Sequence, residues 1–164
     1  MTNTDQQKEF LHLCIVEQLS YKTIAEKLNL SNSELTSLYK DLKEERIAIA
    51  SIRTLWARKK IKMPFGEFYK WYLDHDRKCY YCEITEQEIK ILVDSDRLTT
   101  KRLATRGRKL ELERKQPDLE YDDFNNLTFA CYWCNNAKTD TFTEEEFLKV
   151  GKVFKEIWKQ RFEK

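Results

Sequence analysis

The chain has 164 residues, 41% of them hydrophobic and 35% charged, with a formal net charge of +2. That length has room for one large domain or two small ones, and the composition lets it bury a core and stay soluble. No apolar run approaches membrane-spanning length. The opening "MTNTDQQKEF" lacks the basic and apolar regions of a secretion signal, so a cytoplasmic protein with reduced thiols and no membrane partner is expected.

With only 3 Gly and 2 Pro, a largely helical chain with few tight turns is expected. The first segment, residues 6–45, reads as three helices. Phe10, Leu11, Cys14, Ile15 and Leu19 recur at helical spacing, and Ile24, Ala25 and Leu28 give a second, shorter helix its inner face. Ser31 followed by Glu34 is a capping-box pattern opening a third helix, whose apolar stripe is Leu35 and Leu38. The stretch "SYKTIAEKLNLSNSELTSLYKDL" resembles a helix-turn-helix module, with Ala25 at the close helix contact. Asn29 stands at the turn, where a left-handed conformation is tolerated. The resemblance implies that Asn32, Ser33, Thr36, Ser37 and Lys40 face the DNA major groove. A plain three-helix packing unit stays open beside it.

A long basic helix is expected from about Lys43 through residues 46–60. Residues 53–62 hold five basic side chains and no acid, and Arg58, Lys59 and Lys60 are candidate phosphate contacts. Pro64 and Gly66 break the pattern, which puts a domain boundary at 62/63. Phe65, Phe68, Tyr69 and Tyr72 then read as the core face of an aromatic-rich helix. His75 reads as a polar helix end and His12 as a helix-surface residue, since neither has ligand spacing around it.

Cys79 and Cys82 form one CxxC pair, and Cys131 and Cys134 a second after 48 intervening residues. Two such pairs bring four thiolates to one tetrahedral site, the signature of structural Zn2+. Cys14, on an apolar helix face, reads as core. Between the pairs, residues 96–115 hold eight basic and three acidic side chains, so Arg106 and Arg108 join the candidate polyanion contacts. Within that block Leu110 and Leu112 alternate with charge, as in a short strand. "NNLTFA" reads as a second strand running into the second pair, and "CNNAKTD" as the start of a helix.

This order, CxxC, "LELERK", "NNLTFACYWCNNAK", resembles the HNH or ββα-metal endonucleases of the zinc-clamped kind, over roughly residues 79–140. The resemblance implies an α+β, mainly helical protein. Residues 1–62 would be a helical helix-turn-helix-like DNA-binding module with a basic connecting helix, and residues 63–164 a zinc-clamped nuclease domain. It implies single-metal hydrolysis of a phosphodiester bond, with double-stranded DNA the expected substrate and a structure-selective or RNA-directed nuclease open beside it. Residue by residue, Asn126 matches the Asn that braces the strand-turn, Asn135 a ligand of the catalytic metal, and Lys138 a lysine near a phosphate. Glu113 matches the second metal ligand. Carboxylate and amide oxygens suit Mg2+ or Mn2+.

The family's general base is a histidine, and this chain has Arg114 in that place. A guanidinium cannot accept a proton. Three explanations stay open. Arg114 clamps the phosphate while another group takes the proton; a tyrosine (Tyr80, Tyr81 or Tyr121) shares the proton work beside Arg114; or the chain is a non-catalytic zinc-containing DNA-binding regulator. The tail reads as an amphipathic helix capped by Thr143, with Phe147, Val150, Phe154 and Trp158 packed on the zinc core rather than on a second copy, although a homodimer stays open. The arrangement suits mobile elements, bacterial restriction systems and phages.

Overall fold

The computed structural model describes residues 3–163, and the chain divides into two compact units, Met1–Leu73 and Asp74–Lys164. Each is taken by itself.

The first unit is all helical: α1 (Asn3–Leu11) running into a wide π-helical turn (His12–Val16), α2 (Tyr21–Leu28), α3 (Asn32–Asp41), α4 (Lys43–Arg58) and α5 (Phe65–Asp74). Its core gathers Phe10, Leu13, Ile24, Leu28, Leu35 and Leu42. The π-helical turn shifts the register of the first helix, so Leu13 rather than Cys14 is the deeply buried residue there. Asn29 closes α2 in the left-handed conformation (φ 50°). Ser31 and Glu34 exchange the paired bonds of a capping box, with Ser31 N–H donating to the Glu34 carboxylate at 2.8 Å. Asn32, Ser33, Thr36, Ser37 and Lys40 all lie exposed on α3.

The division falls after Leu73, not at 62/63, because α5 packs into the first unit. The Trp56 and Phe65 rings meet edge-on at 5.8 Å. Arg53 lies over the Phe65 ring at 4.1 Å while donating to the carbonyls of Ile15 (2.7 Å) and Val16 (2.6 Å). That arginine satisfies carbonyls the helix end would otherwise leave unpaired, so part of the basic helix serves the fold. On α5 the deeply buried residues are Phe65, Phe68 and Trp71, with Tyr69 and Tyr72 half-buried.

The second unit holds α6 (Glu86–Asp94), β1 (Glu111–Arg114), β2 (Leu127–Ala130), α7 (Tyr132–Lys138) and α8 (Glu144–Phe162). The two strands pair antiparallel, Glu111 opposite Ala130 and Glu113 opposite Thr128. Helix α6 is absent from the sequence reading, although Thr85 and Glu88 form a capping box and Ile89 and Leu92 are buried. It positions β1: the Glu86 carboxylate accepts from Leu110 N–H and from Arg77, each at 2.8 Å. Helix α7 begins inside the second cysteine pair rather than after it, with Cys131 as its cap.

Helix α8 is capped by Thr143 and Glu146. Phe147 meets the Tyr81 ring at 5.0 Å and Trp158 the Trp133 ring at 5.1 Å, which seats the helix on both cysteine turns. Gly151 makes this approach possible. A Cβ there would lie 2.4 Å from the Tyr81 carbonyl oxygen, and backbone cannot move aside as a side-chain tip can. Gly151→Ala is therefore expected to destabilise the second unit by about 2 kcal/mol, overpacking outweighing the better helix propensity of alanine. A thermal melt of the variant that matches the parent's would contradict this packing.

Candidate functional site

The four cysteines Cys79, Cys82, Cys131 and Cys134 are buried, and their sulfurs all lie within 4.8 Å of one another. None is disulfide-bonded. The Cys82 and Cys131 sulfurs stand 3.7 Å apart. A tetrahedral ion with sulfur at about 2.3 Å requires an edge of roughly 3.8 Å, so the spacing fits a Zn2+ cage and is far too long for an S–S bond. The backbone forms the cage. Cys79 N–H donates to Ile84 O at 2.9 Å and Glu83 N–H to Cys79 O at 2.8 Å, closing the first turn with Glu83 at φ 63°. Tyr80 N–H donates to Phe129 O at 2.8 Å, tying the first turn to β2 and so to the second pair.

The cage sets the hairpin against α7, and one face of β1 meets one face of that helix. Alternation puts Glu111 and Glu113 on this face and Leu112 and Arg114 on the other. Residues three apart on α7, Asn135 and Lys138, sit opposite them. Asn135 Nδ2 donates to the Glu111 carboxylate at 2.6 Å. Lys138 Nζ lies 3.7 Å from the Glu113 carboxylate and donates to Arg114 O at 3.2 Å.

The expected pair Glu113 and Asn135 thus occupies one surface, but each faces another partner. Lys138, expected near a phosphate, is fully buried and turned inward. Asn126 bonds the segment that leaves β1: its Oδ1 accepts from Gln116 N–H at 2.8 Å and its Nδ2 donates to Gln116 O at 3.1 Å. Glu111 escaped the sequence reading, although it lies two residues before Glu113 on a strand. Arg106, expected to touch DNA, grips Glu111 with two bonds (2.9 and 2.5 Å) and lies 4.9 Å from the Tyr132 ring centre. Arg108 is exposed and donates to Leu103 O at 3.1 Å.

On the far face, Arg114 donates to Leu119 O at 2.9 Å and lies 4.8 Å from the Tyr121 ring centre. Of the three candidate tyrosines, Tyr80 donates its hydroxyl to Glu144 at 2.5 Å. That bond, with burial, pushes its pKa up to about 12. Tyr81 is buried and its hydroxyl has no hydrogen-bond partner among the described residues; burial, then the charge of Glu113, pushes it up. His75, one residue beyond α5, lines a cleft of about 390 Å³ with Lys78, Tyr80, Lys115 and Thr128, the last being the cross-strand partner of Glu113. Sequence spacing gave no sign of this.

No known family profile matches the chain, and no curated protein matches it. Among solved structures it is similar to the rare-cutting HNH restriction endonuclease PacI, a protein described by its perturbation of DNA. The identity is 24%, the match covers 68% of this chain and 77% of that one, and the TM-score is 0.51. Over about two thirds of its length (68%) the chain thus shares its fold with an HNH restriction endonuclease.

Proposed function

We propose that the chain is a metal-dependent endonuclease that hydrolyses phosphodiester bonds in double-stranded DNA, with Zn2+ in the four-cysteine cage holding the site together. The observation that carries this reading is the face of β1 on which Glu111 meets Asn135 and Glu113 meets Lys138 of α7, in a fold shared with an HNH endonuclease. Its donors are carboxylate and carboxamide oxygens, the set that Mg2+ and Mn2+ prefer. Glu113 and Asn135 would hold such an ion, which would supply charge stabilisation at the phosphoryl oxygens and at the departing 3′ oxygen.

The chain's own groups do the rest. Lys138 partly neutralises Glu113 from within the core and holds the β1 backbone through Arg114 O. Asn126 fixes the exit of β1, so that Arg114 and Tyr121 are presented together. Arg114 keeps one donor on Leu119 O and offers its others to phosphate oxygens. Tyr80 and Tyr81 are poor proton acceptors, one bonded to a carboxylate and one buried, which leaves His75 in its cleft and Tyr121 beside Arg114. In the first unit, the exposed Asn32, Ser33, Thr36, Ser37 and Lys40 are proposed to read the major groove, with Arg58, Lys59 and Lys60 on phosphates.

One observation favours a second reading, a non-catalytic DNA-binding regulator: an arginine stands where the family has its proton acceptor, and its guanidinium is tied to Leu119 and Tyr121.

Supercoiled plasmid and genomic DNA incubated with the zinc-loaded protein separate the two. Nicked or linear product that needs added Mg2+ or Mn2+, and vanishes with EDTA, is expected. Intact DNA across both metals, alongside retained DNA binding, would favour the regulator. Rates across about pH 6 to 9 for His75→Ala and Tyr121→Phe assign the proton acceptor, because its loss removes the rise of rate with pH. If both variants keep the parent's profile, both assignments fail.

A further inference from the structure

Asn135 can serve as a metal ligand only through its Oδ1, since the amide nitrogen has no lone pair to give. A half-exposed carboxamide on a helix rotates easily about its last torsion, which is broad and roughly two-fold. Something must hold it the right way round, and Glu111 has the chemistry to do so.

An ionised carboxylate only accepts hydrogen bonds. The atom of Asn135 that lies 2.6 Å from Glu111 must therefore be the amide nitrogen, whichever way a rotamer search would place it. Oδ1 is then turned off Glu111, and among the described residues it accepts no other hydrogen bond. Glu111 is itself fixed. Arg106 approaches it side-on, Nε to Oε1 at 2.9 Å and Nη2 to Oε2 at 2.5 Å. This two-bond fork sets the plane of the carboxylate as well as its position. The Tyr132 ring lies beside Arg106, and the bond from Leu110 N–H to Glu86 holds the backbone next to Glu111.

We propose that Glu111, held by Arg106, is the positioning residue that orients the Asn135 carboxamide with Oδ1 presented as a ligand to the catalytic metal. The relay gives Arg106 a structural task in place of a DNA contact. It rests on the nuclease reading for the identity of the ligand site, and such outer partners typically change metal affinity by about tenfold to a hundredfold.

The test uses the full chain with zinc already loaded and Mn2+ alone as the probe, without DNA. Mn2+ prefers oxygen donors and leaves the thiolate cage alone. Free Mn2+ is followed by electron paramagnetic resonance during titration, and the side-chain amide of Asn135 by nitrogen-15 NMR without Mn2+.

Glu111→Ala is expected to weaken Mn2+ binding by about tenfold or more and to shift the Asn135 side-chain amide signals. Glu111→Gln, whose carbonyl oxygen still accepts from Asn135, is expected to recover part of both. Arg106→Gln, which leaves the carboxylate in place but unclamped, is expected to give a smaller loss in the same direction. Zinc content and melting temperature serve as the folding check, and Arg106→Gln carries the test if Glu111→Ala does not fold.

Parent-like Mn2+ affinity in Glu111→Ala, with Asn135→Ala weakened, overturns the positioning role and leaves the nuclease reading standing. Lost Mn2+ affinity with an unchanged Asn135 amide signal also overturns it, since Glu111 would then be a ligand itself. Failure of the parent to bind Mn2+ at all removes the nuclease reading and this proposal with it.

Discussion

Replacing Cys134 with serine is expected to empty the cysteine cage and unfold the second unit while leaving the first helical. The reason is that the cage does the work of a core. The sheet of this unit has only two strands of four residues each, and an isolated hairpin of that size is marginal in water. The four buried sulfurs sit where the first turn, β2 and the start of α7 converge. Binding of structural zinc in small domains supplies roughly 10 kcal/mol or more of apparent folding free energy, comparable to the whole stability of a domain of this size. Metal analysis should find about one Zn2+ per parent chain, as four thiolates to one ion demand, and markedly less in Cys134→Ser. The variant should lose the near-ultraviolet signal of Trp133 and Trp158, whose rings pack 5.1 Å apart against the cage. A variant that keeps its zinc and its melting curve would show that the cysteines merely pack. The first unit has its own core around Phe10, Leu13 and Ile24, so its helical signal should survive.

The second large effect is on cleavage. Asn135→Ala is expected to slow it by about a hundredfold, equivalent to roughly 3 kcal/mol of lost transition-state stabilisation. This substitution is clean, because Asn135 is half-exposed and, among the described residues, its side chain bonds only Glu111. Glu113→Ala should be at least as damaging, but it is not clean. Lys138 has no exposed surface and Glu113 is its carboxylate partner, and breaking a buried pair costs about 3–5 kcal/mol of fold stability. Glu113→Gln keeps the volume and a polar contact to Lys138 while weakening the ligand, so it separates the two effects. Plasmid nicking rates at saturating Mn2+, with a melt on each variant, decide the matter. Parent-like cleavage by Asn135→Ala at intact zinc content would remove Asn135 from the site.

The contrast between Asn135 and Lys138 shows how far the order of residues reaches. Both belong to one short motif with the cysteines before them, and the motif announces a helix after a metal-holding turn. Which of the two faces water follows from the strand packed opposite. The spacing of Asn135 and Lys138 on α7 and of Glu111 and Glu113 on β1 matches them in two rungs, one at the rim and one inside. The resemblance to the HNH endonucleases paired Asn135 with Glu113, and the order of residues contains no information about the offset between strand and helix. The same limit hid the fate of Arg106, which the four residues of chain between them bring back onto Glu111.

Local patterns were read more faithfully. The capping boxes at Ser31 and Thr143 and the left-handed turn at Asn29 stand where side-chain chemistry puts them, because each involves only neighbours in the chain. Thr85 with Glu88 carried the same signal for α6 and was passed over. The π-helical turn after Leu11 had no such marker, and its one-residue shift moved Leu13 into the core.

By itself, then, the sequence determined the four-cysteine cage, the two strands, the helix caps at Ser31 and Thr143 and the HNH-like order in which they follow, since these depend on residue type and short spacing. The tertiary structure alone decided that α5 belongs to the first unit, that Gly151 must be bare against Tyr81, that Lys138 is buried, and that His75 shares a cleft with Thr128. Those are contacts between segments far apart in the chain, fixed by which faces must be buried together and not by any pattern within one segment.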